Sequence, residues 1–96
     1  MAFSQVTVES SNEENDITKS NLFKFYPNPV EDELFIIGSN KIKSIEFIDV
    51  LGKRVAIHHF NKSIIKMDVS QLKSGIYLIQ ATDENGKQET QKLVVK

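Results

Sequence analysis

The chain has no cysteine and no tryptophan, only two prolines and four glycines, and two histidines that stand side by side. Lack of cysteine removes disulfides, thiol nucleophiles and thiolate metal sites together, and leaves the redox compartment open. No apolar run comes near the ~20 residues that a helix needs to cross a bilayer. Positive and negative side chains nearly cancel, 12 against 13, for a formal net charge of −1. No overall field draws such a chain to nucleic acid or to an anionic membrane. The opening residues, Met1-Ala2-Phe3-Ser4-Gln5-Val6, carry neither the basic nor the apolar region of a secretory signal. What is present is 96 residues, 40% of them hydrophobic, enough for one compact domain with a modest core.

The polar inventory does not assemble into a catalytic set. Neighbours on a strand face opposite ways, so His58 and His59 do not converge on one ion. Glu31-Asp32-Glu33 follows a proline-rich turn and reads as a solvated acidic corner. No serine sits in a G-x-S-x-G elbow, and the glycines stand singly at turns rather than in a phosphate-binding loop. The lysines alternate with acids and form no basic stripe interleaved with aromatics. The expectation is a domain without catalytic residues, metal or cofactor.

Two regions divide the chain. Val6 and Val8 give a weak alternation, which runs into a polar stretch from Glu9 to Ser20 with Ile17 as its one apolar residue. Such a stretch cannot bury enough surface to offset its ordering entropy. Residues 1–21 therefore read as the remnant of an upstream domain and a solvated linker, and residues 22–96 as the folded unit.

Within that unit strand and turn alternate throughout. Leu22-Phe23-Lys24-Phe25-Tyr26 is an aromatic strand halted by Pro27-Asn28-Pro29, a stiff crossing because proline fixes its own φ and restricts its predecessor. Leu34-Phe35-Ile36-Ile37, apolar on both faces, is expected to be covered on both, with Gly38-Ser39-Asn40 turning the chain. In the strand over 42–50, Ile45 and Phe47 point one way and Glu46 and Ile48 the other. A hairpin follows at Asp49-Val50-Leu51-Gly52-Lys53, with Asp49 bonding backbone amides and Gly52 at positive φ. Val55 and Ile57 mark the next strand, Asn61-Lys62-Ser63 a turn, and Ile65, Met67 and Val69 a further strand.

Leu72-Lys73-Ser74-Gly75-Ile76-Tyr77 then has the order of a tyrosine corner, with Leu72 as a buried plug. Tyr77, Ile79 and Ala81 share one face, and an Asn85-Gly86 hairpin leads to Leu93 and Val95 on the last strand. About seven short strands at spacings of roughly 8–12 residues predict an all-β fold, an immunoglobulin-like antiparallel β-sandwich.

Four landmarks stand in order: Tyr26-Pro27-Asn28-Pro29, Ile48-Asp49-Val50-Leu51-Gly52-Lys53-Arg54-Val55, Leu72-Lys73-Ser74-Gly75-Ile76-Tyr77-Leu78-Ile79, and Lys92-Leu93-Val94-Val95-Lys96. Each alone is common. Together, at this spacing, they resemble the C-terminal sorting domain, type A, of the type IX (Por) secretion system of Bacteroidetes bacteria. The resemblance covers residues 22–96.

The resemblance implies a signal that directs a cargo protein through the periplasm and across the outer membrane, to be secreted or held at the cell surface. Its partners would be the type IX translocon, the pathway's sortase and an upstream cargo domain, with cleavage in the polar stretch 10–20. The family's motifs carry over onto Pro27, Asn28 and Pro29, onto Asp49, Gly52 and Lys53, onto Leu72, Gly75 and Tyr77, and onto Lys92, Leu93, Val94, Val95 and Lys96. A terminal strand flanked by charges is also able to pair with its copy in an edge-strand homodimer. The alternative class is an immunoglobulin-like module that binds carbohydrate or protein and stays on a cell-surface protein. That reading needs an exposed aromatic platform, whereas the aromatics here fall mostly within strands.

Overall fold

The structure, a computed structural model, describes residues 22–96. The alternation at Val6 and Val8 and the polar linker lie outside the described residues. Five strands follow in order: β1 (Phe23–Tyr26), β2 (Glu33–Asp49), β3 (Arg54–Asp68), β4 (Gly75–Asp83) and β5 (Gln88–Val95). All pair antiparallel in one sheet, and no helix occurs among the described residues.

The long strand β2 organises the sheet. β3 runs along one side of it for its whole length. On the other side, β1 pairs with its first half, Phe35 to Gly38, and β4 with its second half, Ile42 to Asp49. β5 continues outward from β4. The sheet then curls until β5 returns beside the chain that follows β1, where Val30 makes an isolated parallel bridge to Val95.

Five strands replace the expected seven, and the reason is local. Gly38-Ser39-Asn40 and Asn61-Lys62-Ser63 do not turn the chain. They lie inside β2 and β3, and pairing resumes past them with a shifted register, Ile37 opposite Ile64 but Ile42 opposite Lys62. Extra residues on one strand of a pair form a bulge, which bends and twists the strand without ending it. Here residues 38–41 of β2 face only Ser63 of β3, so β2 bends from one half of the curled sheet to the other.

Period-two alternation then lines a single core. Phe23, Leu34, Ile36, Ile65 and Met67 come from the first half, and Ile45, Phe47, Tyr77, Ile79, Ala81, Leu93 and Val95 from the second. Ile42 joins them because the register shift after it restores its inward direction. The expectation that residues 34–37 are covered on both faces is not met. Leu34 and Ile36 are buried, but Phe35 is only half-buried and Ile37 is 44% exposed. One side of β2 is enough to hold the core, and the other meets solvent.

Candidate functional site

The terminal strand is the natural place to begin, because its outer edge is not free. Pro27 and Pro29 have no N–H, so the chain beside β5 can offer few donors. Both X-Pro bonds in this segment are cis. The Val94 amide donates to Oδ1 of Asn28 at 2.9 Å, and Nδ2 of Asn28 donates to the Lys92 carbonyl at 3.3 Å. One residue after Pro29, the Val30 amide donates to the Val94 carbonyl at 2.9 Å, and the Lys96 amide donates to the Val30 carbonyl at 2.8 Å. The Asn28 side chain thus does what a backbone amide and carbonyl would do in a ladder. Val30, with no exposed surface, anchors the segment in the core.

Further along β5 the same edge is met by side chains. Leu22 donates its amide to Glu89, and Gln91 donates to the Phe23 carbonyl at 2.9 Å. An edge-paired homodimer through residues 92–96 would have to displace these contacts, since the chain already covers its own edge. On this strand Leu93 and Val95 point into the core, while Lys92 and Lys96 are exposed and Val94 half-buried.

The corner that leads from β3 into β4 forms as the sequence predicts. The Tyr77 hydroxyl donates to the Lys73 carbonyl at 2.6 Å, and its ring is nearly buried. Gly75 sits at φ +153°, a backbone region that side chains rarely enter. Leu72 is not the fully buried plug expected of it; it is half-buried and packs against the core from outside. Replacing Tyr77 with Phe keeps the ring and removes one hydrogen bond. The expected loss is about 1 kcal/mol, read as a fall of about 5 °C in Tm.

Asp49 makes the turn expected of it. Its Oδ1 accepts from the amides of Leu51 and Lys53, both at 2.9 Å, and Gly52 lies at φ +83°. Sequence reasoning missed that the next hairpin repeats this device. Asp83 Oδ1 accepts from the amides of Asn85 and Lys87 at 2.9 and 3.0 Å, with Gly86 at φ +82°. The shared spelling Asp-x-x-Gly-Lys at 49–53 and 83–87 was the available signal. Asp83 is also the one buried polar residue among those described, 2% exposed. A third aspartate, Asp68, opens the corner, and the hydroxyl of Ser70, then its amide, hold the Asp68 carboxyl below the usual carboxylate range.

With this geometry in place, the family described as secretion system C-terminal sorting domain matches residues 24–96, a span that takes in every landmark above. The chain belongs to that family. A curated relative, an endo-acting ulvan lyase of Formosa agariphila, is 38% identical over 95 residues, and the match covers 95% of this chain but 18% of the lyase. The chain therefore spans less than a fifth of that relative's length. As a sorting domain it is a C-terminal signal for type IX secretion, and its task is to be recognised rather than to catalyse.

Neither histidine is buried, and the Phe47 ring meets His58 edge-on at 6.4 Å between centroids. Glu31, Asp32 and Glu33 are exposed and rim an open groove of about 850 Å³ beside Pro27, Pro29 and Lys96. No cluster of metal-ligating side chains occurs among the described residues. None of the described segments is a helix long and apolar enough to cross a membrane. Of the landmark residues, the structure brings Asn28 against residues 92–96 and Tyr77 against the same strand through pairing with Leu93. Asp49 pairs with Tyr77, and Asp49 and Gly52 line one small pocket with Tyr77 and Lys92, while Lys53 lies at the hairpin between β2 and β3.

Proposed function

We propose that the type IX translocon reads the surface formed jointly by residues 92–96 and 27–29, and that the curled sheet serves as the immunoglobulin-like sandwich that displays it. One observation carries this reading. Two sequence landmarks more than sixty residues apart are hydrogen-bonded to each other through Asn28, with Lys92 and Lys96 left exposed beside them. Residues 1–21 belong, in this reading, to the junction with an upstream cargo. The pathway's sortase cleaves within that polar stretch, and the cargo is released or kept at the cell surface. The match to a small part of a longer enzyme, the endo-acting ulvan lyase, supports a cargo that is itself an enzyme.

The structure also dictates which variant tests the surface. Deleting residues 93–96 removes Leu93 and Val95 from the core and confounds recognition with folding. Charge reversal at Lys92 and Lys96 leaves both core residues in place. A reporter that carries an export signal and residues 22–96 is expected to leave type IX-competent cells, and the Lys92→Glu, Lys96→Glu double variant to accumulate in the periplasm with unchanged Tm. Normal secretion of the double variant would remove the two lysines from the recognised surface.

A further inference from the structure

We infer that residues 27–30 act as a clasp on the terminal strand, closing its outer edge in the resting fold and lifting from it as a unit, with Val30 leaving the core while β4 and β5 stay paired. This rests on the reading above, that the end of the chain is what the export machinery recognises. A partner that takes β5 by adding a strand to it needs the amide and carbonyl of Val94, the Lys92 carbonyl and the Lys96 amide. All four are already engaged by Asn28 and Val30. Strand addition at this edge can begin only after the clasp has moved aside.

The clasp holds β5 by four hydrogen bonds, and parting from it also costs the burial of Val30. Both of its Asn28 bonds lie at the exposed surface, and one of them is long. A segment with prolines at 27 and 29 cannot extend a ladder, so backbone pairing with β5 is confined to Val30 and does not spread toward Lys92. The opposite side of β5 is different. There an uninterrupted register from Gly75–Val95 to Thr82–Gln88 holds it to β4, and the inward residues Leu93 and Val95 stay in the core. Four hydrogen bonds and one buried residue at one edge, against full pairing at the other, is the pattern expected of a segment that opens ahead of the rest.

Native-state amide exchange on the 96-residue chain tests this. In Asn28→Ala the Val94 amide loses its acceptor directly, so its faster exchange alone proves little. The Lys96 amide keeps its own partner, the Val30 carbonyl, and is the informative probe. Loss of the two Asn28 bonds is expected to speed Lys96 exchange about tenfold, with Ile79 and Ala81 unchanged. An unchanged Lys96 rate, or equal acceleration at all four amides, overturns the clasp. If Asn28→Ala does not fold, exchange of the unaltered chain in rising denaturant decides. Val94 and Lys96 opening ahead of Ile79 and Ala81 supports the clasp, and a common opening contradicts it. This experiment reads no secretion, so its failure is distinct from failure of the export reading.

Discussion

Gly38→Ala is expected to lower Tm by about 10 °C, from a cost of about 2 kcal/mol. Nothing at the level of sequence marks this glycine out from an ordinary turn residue. In the structure, a β-carbon at position 38 would lie 2.6 Å from the Asn40 carbonyl oxygen and 2.8 Å from Cγ1 of Ile42. The first of those atoms is backbone and the second belongs to a fully buried side chain, so neither yields without moving the bulge. Because the bulge bends β2 from one half of the core to the other, the strain falls on both. Thermal unfolding followed by circular dichroism reads the result, and a Tm within 2 °C of the unaltered chain would mean that the bulge adapts freely.

A second large effect is expected at Asp83. Asp83→Ala leaves the amides of Asn85 and Lys87 without their acceptor at a part-buried site, and opens a small void. The expected loss is about 2–3 kcal/mol, since the two bonds are to a charged acceptor and unmade buried bonds cost more than exposed ones. Asp49→Ala breaks the same two contacts in the matching hairpin, but there both bonds lie at the surface and water replaces the carboxylate. About 1 kcal/mol is expected there. Urea titration of the two variants side by side measures the difference, and Asp83→Asn, which keeps an acceptor oxygen, should recover part of it. Equal losses at both positions would show that burial of Asp83 adds nothing.

The contrast between those two aspartates shows what was legible in the sequence and what was not. Alternation along Tyr77, Ile79 and Ala81 foretold a buried face because the side-chain period of a strand is two and one face meets the core. The tyrosine corner was legible for the same reason, as its residues lie close together in the chain. The bulges were not. Gly38-Ser39-Asn40 and Asn61-Lys62-Ser63 have the composition of turns, and only the pairing partner decides whether such a stretch turns a chain or bends a strand. Burial of Asp83 and pairing of Asn28 with Val94 depend on contacts across the fold, which no local pattern records. Four ordered landmarks nevertheless sufficed to place the chain in its family, because they span the whole domain.

That placement carries a physical requirement. A signal attached to unrelated cargo must fold by itself and present the same surface each time. Toward the first, residues 22–96 enclose one core in a sheet that curls back on its own first segment. Toward the second, Leu93 and Val95 are anchored inside while Lys92, Lys96 and the proline-flanked Asn28, the surface proposed to be read, remain outside.

The most direct measurement is the fate of an unrelated, periplasm-directed reporter that carries residues 22–96 at its C-terminus, expressed in cells with a working type IX system. The account predicts that the reporter is recovered outside the outer membrane, and that without those residues it stays in the periplasm. Periplasmic retention of the folded fusion, with the system shown to be active on its own cargo, would contradict it.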